Sequence, residues 1–264
     1  MNRLILIRHG ETDYNLQNRY CGFSNPPLNK NGLEQAEKLS TRLNNFEIDR
    51  TSPLRPFPKM YWGGLPCWVN VSGGSIPMDK TFSFPPEADQ SAAEKVLGMS
   101  LRPVDKIYCS DLKRAHQTAE VIFKQREVTK LADFREMNFG VFEGLNCEEI
   151  IEKYPKFYRD WIDNPRGVKI PQGERLEDVA KRVKTKLSFI LSQNEGRIIA
   201  LVTHGGPIRL ILCQILKYNL NKFWQIEQNN TALNIIDYLE TGPVIVRMND
   251  VSHLEEAAGV SMCQ

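Results

Sequence analysis

Two short apolar segments constrain the fold of this chain most strongly, because each one leads directly into a histidine. Residues 4–7 (LILI) run into Arg8 and His9, and residues 198–202 (IIALV) run through a threonine into His204. A short apolar run bounded by polar and glycine residues predicts a buried strand of a parallel sheet. In open α/β sheets, ligands bind at the carboxyl ends of such strands. The two histidines are therefore predicted to meet at one sheet edge, in a single site that handles an anion.

The hydrophobic pattern of the remaining chain predicts strands that alternate with helices. A short strand is expected at residues 107–109, and two strand-like segments at 231–238 and 244–248 are expected to pair. Helices are predicted at about residues 31–45, from about residue 111, and at 147–154, 156–163, 175–193 and 207–216. The apolar face of the first helix is predicted to comprise Leu33, Ala36, Leu39 and Leu43. This alternation predicts an α/β fold with helices on both faces of the sheet.

Composition and charge narrow the class of protein. The chain has 264 residues, of which 41% are hydrophobic, so it is long enough to bury a substantial core. The net charge is +2, and lysine and arginine are spread along the sequence, so neither a nucleic acid nor a membrane is expected as a partner. A homodimer is left open.

The six cysteines are scattered and form no Cys-x-x-Cys pair, which argues against a structural zinc site or a redox motif. Reduced thiols of this kind predict a cytoplasmic location. No apolar stretch approaches the length of a membrane span. The first residues are not expected to form a signal peptide, because a candidate site residue already stands at Arg8.

One segment, from about residue 50 to residue 104, does not fit the alternating pattern. It has no clear periodicity and contains eight of the fifteen prolines and two of the four tryptophans. Removing it would join residues 46–49 to residues 106–109 in a natural passage from loop to strand. One interpretation is a peripheral, partly disordered insertion. The other is a cap whose aromatic residues fold over the mouth of the site and select substrates.

The polar residues at the predicted sheet edge suit the transfer of a phosphoryl group. The charge of that group is spread over its oxygens, so the site needs fixed cationic donors, and an arginine can meet two oxygens at once. Arg8 and Arg114 are the candidates. A neutral imidazole of His9 or His204 could attack phosphorus, and the second histidine, when protonated, would donate to the same oxygens. Glu136 follows a predicted strand and would supply a proton to the leaving oxygen.

Each of these residues also has a plain structural interpretation. A histidine after an apolar strand is often a hydrogen-bonded structural residue, Arg114 could lie on a solvated helix face, and Glu136 could be a surface charge. Their joint placement at strand ends favours the chemical interpretation. Metal chemistry is the competing class, but the sequence has four histidines, no His-Glu-x-x-His motif, no cluster of aspartates and no glycine-rich P-loop. No metal or other cofactor is therefore expected.

The ordered motifs resemble those of the histidine phosphatase (phosphoglycerate mutase-like) superfamily. The matching blocks are residues 6–12 (LIRHGET), Gly22 with residues 27–28 and 32–36, residues 108–119, residues 136–144, residues 171–174 and residues 202–206. They cover nearly the whole chain except residues 50–104 and the last dozen or so. Ordered blocks identify the superfamily far more strongly than an Arg-His-Gly tripeptide alone.

The resemblance implies a role for each candidate residue. His9 would be the catalytic nucleophile that becomes a phosphohistidine, and Glu136 would protonate the leaving oxygen and later activate water. The implied phosphate contacts are Arg8, Arg114, Asn15 and the catalytic His204. The implied fold is a three-layer α/β/α sandwich around a mostly parallel central sheet. Residues 1–264 would form a single histidine phosphatase domain that carries the insertion and needs no metal.

Within this superfamily, residues 134–144 (FREMNFGVFEG) are most similar to α-ribazole phosphatases, which act late in cobalamin assembly. The resemblance therefore implies a hydrolase that dephosphorylates α-ribazole 5′-phosphate. A broad-specificity phosphatase and a cofactor-dependent phosphoglycerate mutase remain alternatives, although the compact region after Glu136 favours hydrolysis. A phosphate-binding module, in which the fold persists without turnover, is the alternative outside enzymes.

Overall fold

The computed structural model describes residues 1–45 and 104–255 of the chain. The predicted insertion, residues 50–104, lies outside this part except for Val104, so the choice between a cap and a peripheral loop stays a prediction. The organisation of residues 1–264 as a single domain also stays a prediction. Within the described residues, no helix is both long and apolar enough to cross a membrane.

Six strands of the described residues form one sheet. They are β1 (Asn2–Arg8), β2 (Lys106–Cys109), β3 (Thr129–Lys130), β4 (Ile198–Thr203), β5 (Leu233–Leu239) and β6 (Gly242–Asp250). Their order across the sheet is β3-β2-β4-β1-β5-β6. The first four strands are parallel, whereas β5 runs antiparallel to β1 and pairs with β6. The predicted strands are thus present, and the sheet is mostly parallel.

The α-helices of the described part are α1 (Asp13–Leu16), α2 (Lys30–Asn45), α3 (Lys113–Phe123), α4 (Cys147–Lys153), α5 (Pro155–Asp163), α6 (Leu176–Gln193) and α7 (Gly205–Ile215). Short 3-10 helices occupy Ala132–Phe134, Gly140–Phe142 and Leu220–Gln225. The sequence pattern predicts the six longer α-helices but neither α1 nor the 3-10 helices, which are too short to show a helical period. The break between α4 and α5 comes at Pro155, the first residue of α5, where the missing N–H costs nothing.

Alternate residues of β1 face opposite sides of the sheet and contribute to two separate cores. Leu4 and Leu6 belong to one apolar cluster with residues of α6 and α7, whereas Ile5 and Ile7 cluster with residues of α2 and α3. All four side chains are at most 3% exposed. Each contributes about 1.5–3 kcal/mol to folding by its burial. Helices therefore cover both faces of the sheet, and the three-layer α/β/α sandwich is confirmed.

One prediction for α2 is wrong, because Leu33 is 40% exposed, although Ala36 and Leu39 are fully buried as expected. The first turn of α2 packs through Gly32, where an added Cβ would lie 2.1 Å from the backbone oxygen of Glu11. Successive helix residues are turned by about 100°. Close packing at Gly32 therefore leaves its neighbour Leu33 toward solvent, and the same contact holds the loop after β1 against α2.

Candidate active site

The register of the sheet brings the candidate residues to one edge. Arg8 at the end of β1 is level with Thr203 at the end of β4, so His9 and His204 leave the sheet side by side. The backbone N–H of His9 donates to the carbonyl of Thr203 at 2.9 Å, and the ring centroids of the two histidines are 5.1 Å apart. Ser110 follows the end of β2 at the same edge. The predicted meeting of the two histidines therefore occurs.

The hydrogen bonds of His9 define its tautomer. Its Nδ1 lies 2.7 Å from the carbonyl oxygen of Gly10, which can only accept, so Nδ1 carries the proton. Its Nε2 accepts from Nε of Arg114 at 3.3 Å and therefore presents a lone pair. Burial and the charges of Arg114 and Arg8 hold the pKa of His9 well below its ordinary value of 6.5. His9 is thus a neutral imidazole with one unprotonated nitrogen, the form that a nucleophile needs.

Arg114 reaches the site from the first turn of α3 and is fully buried. Its Nη1 and Nη2 donate to the carbonyls of Ser24 and Gly22, each at 2.8 Å, which fixes the plane of the guanidinium. The carboxylate of Glu143 braces that loop by accepting from the N–H groups of Phe23 and Ser24 at 2.8 and 2.9 Å. The alternative of a solvated helix face is therefore wrong for Arg114.

Arg8 uses only part of its hydrogen-bonding capacity. Its Nη1 donates to the carbonyl of Gln228 at 2.5 Å, whereas its Nε is buried without a partner in the described part of the chain. Burial and the positive charge of Arg209 lower the pKa of Arg8 to about 10, so the side chain stays charged at neutral pH. A buried N–H without a partner is costly unless an acceptor binds there. Arg8 is therefore a donor suited to an anion.

His204 occupies the N-cap position of α7 and is fully buried. Its Nε2 lies 2.8 Å from Oγ of Ser110, and its Nδ1 has no partner among residues 1–45 and 104–255. The structure does not support the expected protonated form, because burial and the cations Arg114 and Arg8 hold the pKa of His204 well below 6.5. The neutral ring of His204 still has one N–H to donate. Its protonated form would require a bound anion that offsets the positive charges of Arg114 and Arg8.

Glu136 comes to the same edge from the segment between two 3-10 helices. Its Oε2 accepts from the N–H of Gly206, in the first turn of α7, at 3.2 Å, and its Oε1 accepts from Met137 at 2.9 Å. An added Cβ on Gly206 would lie 2.0 Å from Oε1, so a larger residue would displace the carboxyl group. Arg182 donates to the carbonyl of Glu136 at 3.0 Å. The carboxyl group of Glu136 is therefore held at the N–H of Gly206, which follows His204 by two residues. Glu136 is not a free surface charge.

Asn15 takes part in the N-terminal cap of α1. Its Oδ1 accepts from the N–H and the hydroxyl of Thr12 at 3.1 and 3.0 Å. The same oxygen lies 3.4 Å from Nδ2 of Asn230, which donates to the carbonyl of His9 at 3.0 Å. Asn15 is thus linked to the backbone of His9. Its role as a phosphate contact stays a prediction.

Two further residues hold the site together without having been assigned a role from the sequence. The N–H of Thr231 donates to the carbonyl of His9 at 3.2 Å, beside the bond from Asn230. Thr231 has a φ of 54°, which is unusual for a β-branched residue, and its Oγ1 lies 2.9 Å from Nε2 of His253. Sequence spacing cannot show which backbone atom Asn230 and Thr231 contact, so the sequence carries no signal for this role.

The candidate site is separate from the cavities of the α6–α7 region. Two cavities of about 280 and 400 Å³ share Lys184, Ile211 and Gln214 as lining residues, and no predicted site residue lines either one. Across the described ranges, no group of three or more His, Cys, Asp and Glu side chains is placed to hold a metal ion. The residues with chemistry to offer are therefore those at the sheet edge.

An α/β/α sandwich that gathers histidines and arginines at the carboxyl edge of its sheet has the features of a protein that processes phosphate groups. Comparison with protein families gives the specific assignment. The chain belongs to the histidine phosphatase superfamily (branch 1), whose sequence profile matches residues 4–55 and 88–251. It is a phosphatase of that superfamily.

Individual proteins show how far the similarity extends. Phosphoserine phosphatase 1 from Hydrogenobacter thermophilus is 28% identical over 97% of this chain and 96% of its own length. The solved structure of Bacillus stearothermophilus YhfR has a TM-score of 0.72 at 23% identity and covers 97% of this chain and 100% of that one. A putative alpha-ribazole-5'-P phosphatase from Escherichia coli has a TM-score of 0.68 at 21% identity, with coverages of 94% and 96%. Both structures establish the fold.

Proposed function

We propose that this chain is a metal-independent phosphomonoesterase in which His9 is the nucleophile and a phosphohistidine is the intermediate. The observation that carries the proposal is the state of His9. Its Nδ1 is fixed to the carbonyl of Gly10, and its Nε2 lone pair faces Nε of Arg114 at 3.3 Å. An unprotonated nitrogen beside a guanidinium suits an incoming phosphoryl group, because the same guanidinium can bind the oxygens of that group.

In the first step, Nε2 of His9 attacks the phosphorus of the bound ester. An N–P bond forms as the bond between phosphorus and the ester oxygen breaks. Arg8, Arg114 and His204 donate to the non-bridging oxygens, on which negative charge is spread in the transition state. Glu136, protonated at this stage, gives its proton to the leaving oxygen, so the organic product departs as an alcohol.

In the second step, the ionised Glu136 takes a proton from a water molecule. The oxygen of that water attacks the phosphorus of the phosphohistidine, and the N–P bond breaks with its electron pair returning to Nε2 of His9. Inorganic phosphate leaves, and Glu136 is protonated again for the next cycle. The anchoring of the Glu136 carboxyl group at α7 supports both roles, since the group must stay in reach of the same oxygen position.

Two substrates are candidates. The motif at residues 134–144 favours α-ribazole 5′-phosphate, and a protein of similar fold is a putative alpha-ribazole-5'-P phosphatase. O-phosphoserine is the second candidate, because a relative matched over 97% of this chain is a phosphoserine phosphatase. Both are small phosphomonoesters whose alkoxide leaving group needs a proton. A cytoplasmic location, predicted from the scattered cysteines, is part of this proposal.

The test is phosphate release from a panel of esters in the presence of EDTA. The panel contains α-ribazole 5′-phosphate, O-phospho-L-serine, 3-phosphoglycerate and p-nitrophenyl phosphate. We expect turnover that falls by at least about 10³-fold in His9→Ala, because the covalent route is lost. His116→Ala is the matched control, since the ring of His116 lies 3.3 Å from the carboxylate of Glu120 and has no role in the proposed mechanism.

The outcomes separate the alternatives. A strong preference for α-ribazole 5′-phosphate would support the role in cobalamin assembly, whereas a preference for O-phospho-L-serine would replace it. Isomerisation of 3-phosphoglycerate that requires priming by a bisphosphate would identify a mutase. Tight binding of phosphate without hydrolysis of any ester would identify a binding module, and full turnover by His9→Ala would contradict the proposed nucleophile.

A further inference from the structure

Three arginine side chains at the candidate site have no carboxylate partner. Elsewhere, the partly buried Arg3 and Arg182 each pair with a carboxylate, at 2.7 and 3.0 Å. Arg8, Arg114 and Arg209 form no such ion pair with any residue that the structure describes. In the proposed reaction, Arg8 and Arg114 bind the phosphoryl group. The positive charge of Arg209 has no role in it so far.

One hydrogen bond from Nε and two aromatic rings hold the guanidinium of Arg209 in place. Its Nε donates to the carbonyl of Ile226 at 2.7 Å. The guanidinium carbon lies 5.6 Å from the ring centroid of Phe223 and 5.5 Å from that of Trp224. The described residues provide no acceptor for Nη1 and Nη2, which are the two outer nitrogens of the fork. The guanidinium is therefore positioned but not saturated with hydrogen bonds.

The outer nitrogen Nη1 of Arg209 lies beside Gly205, next to the glycine that contacts the proposed proton donor Glu136. An added Cβ on Gly205 would be 3.1 Å from Nη1 of Arg209 and 3.7 Å from Nε of Arg8. An added Cβ on the next residue, Gly206, would be 2.0 Å from Oε1 of Glu136. The guanidinium of Arg209, from the second turn of α7, thus reaches back to the first turn, which holds the proposed proton donor, and lies near Arg8.

The charges of nearby carboxylates act on all three arginines without forming an ion pair: Glu136 on each of them, Glu143 on Arg114 and Glu227 on Arg209. A phosphomonoester carries nearly two negative charges at neutral pH, which Arg8 and Arg114 offset. When Glu136 is protonated for its role as acid, Glu227 is the remaining carboxylate whose charge acts on Arg209. Burial lowers the pKa of Arg209, whereas the charges of Glu136 and Glu227 raise it. A planar guanidinium with two free N–H groups matches the geometry of a carboxylate.

We propose that Arg209 binds a carboxylate on the leaving-group part of the substrate, so that the enzyme selects small phosphomonoesters that bear a carboxylate close to the phosphoryl group. This inference rests on the proposed phosphomonoesterase function. It favours a phosphorylated hydroxy acid or hydroxy amino acid, such as O-phosphoserine, over α-ribazole 5′-phosphate, whose leaving group is an uncharged nucleoside.

The test compares substrates that differ in the carboxylate. The pairs are O-phospho-L-serine with O-phosphoethanolamine, and 3-phosphoglycerate with glycerol 3-phosphate. We expect the wild-type protein to prefer the carboxylate-bearing member in kcat/KM by about 10-fold to 100-fold, the value of one charge-assisted contact. That preference should disappear in Arg209→Gln. It should also disappear in Arg209→Met, whose longer apolar side chain keeps the packing on Phe223 and Trp224. Arg166→Gln is the control, because Arg166 is an exposed surface arginine.

Two results would overturn the inference. One is a wild-type protein that shows no preference within either pair. The other is a loss of kcat/KM in the Arg209 variants that is equal for both members of a pair, which would make Arg209 a structural residue only. Should Arg209→Gln fail to fold, Arg209→Met carries the test. Hydrolysis of p-nitrophenyl phosphate by the wild-type protein, lost in His9→Ala, checks the phosphomonoesterase function separately.

Discussion

The two sides of the candidate site are built in different ways. The side proposed to bind the phosphoryl group, here the phosphate-binding side, consists of Arg8, His9, Arg114 and His204. The side proposed to bind the leaving group, here the leaving-group side, consists of Glu136 and Arg209. Residues of the first side end a strand, follow a strand directly, or lie in the first turn of the helix after one. Residues of the second side come from a segment between 3-10 helices and from the second turn of α7.

The two sides also differ in how deeply their side chains are buried. Three of the four residues of the first side, His9, Arg114 and His204, are at most 3% exposed, whereas Arg8, Glu136 and Arg209 are only partly buried. Hydrogen bonds in the sheet and carbonyls of the loop at residues 22–24 determine the geometry of the first side. In the proposed mechanism, the sheet edge therefore carries the phosphoryl chemistry, and the less regular segments select the leaving group.

The largest uniform loss is expected at Arg114. Arg114→Ala removes a donor to the phosphoryl group and leaves the carbonyls of Gly22 and Ser24 without their partners. We expect kcat/KM to fall by about 10²- to 10³-fold, the range measured for single oxyanion donors. The loss should be the same for alkyl and aryl phosphates, since both carry the same phosphoryl group. Arg166→Ala is the control, and a loss that depends on the leaving group would contradict the division into two sides.

A selective loss is expected at Glu136. Glu136→Gln keeps the shape of the side chain but has no proton to give. We expect kcat/KM for an alkyl phosphate such as O-phospho-L-serine to fall by about 10²-fold or more. The first step for p-nitrophenyl phosphate should change little, because p-nitrophenolate leaves without protonation.

The glycine at position 206 provides an independent check of the Glu136 result. Gly206→Ala would place a Cβ 2.0 Å from Oε1 of Glu136, so the carboxyl group must move. A misplacement of about 1 Å costs up to about 10²-fold in rate. The variant should therefore resemble Glu136→Gln in its selectivity. Equal losses on alkyl and aryl esters in both variants would show that Glu136 does not protonate the leaving oxygen.

The smallest effect is expected in the pH dependence of stability, which probes the burial of the phosphate-binding side. The pKa of His204 is held well below 6.5 in the folded protein, so the unfolded chain takes up a proton first as the pH falls. The free energy of unfolding should therefore decrease below about pH 6.5, by at most about 1.4 kcal/mol per pH unit for this histidine. The contribution vanishes above that pH, where the ring is neutral in both states.

Urea unfolding of the wild-type protein and of His204→Gln checks this sign. The variant should lose free energy of unfolding less steeply between about pH 6.5 and 5, by up to one bound proton. His116→Gln serves as the comparison for a partly exposed histidine. Identical slopes in wild-type protein and His204→Gln would mean that His204 is not held neutral by folding.

Most of the fold follows from the sequence because its signals are local. The apolar runs at residues 4–7 and 198–202 are long enough to identify buried strands, and the helices of seven residues or more show a helical period. The failure at Leu33 has a physical cause, because backbone packing through Gly32 overrides the periodicity of the first turn. Neither α1 nor the 3-10 helices carry enough residues for a pattern.

The two sides of the site differ in how far the sequence predicts them. The meeting of His9 with His204, and the entry of Arg114 from the following helix, come directly from strand order. The carboxylate-binding position proposed for Arg209 could not be anticipated, because it depends on a ring contact with Trp224 and on Glu136, which is held at the preceding turn of α7. Contacts between irregular segments leave no periodic signal in a single sequence.

The central claim is that His9 carries the phosphoryl group, and rapid-quench labelling with a ³²P-phosphomonoester tests it most directly. We predict a protein-bound label that forms within the first turnover, is labile in acid and stable in base, maps to the peptide containing His9, and is absent in His9→Ala. Turnover without any such label, or a label on a different residue that persists in His9→Ala, would contradict the account.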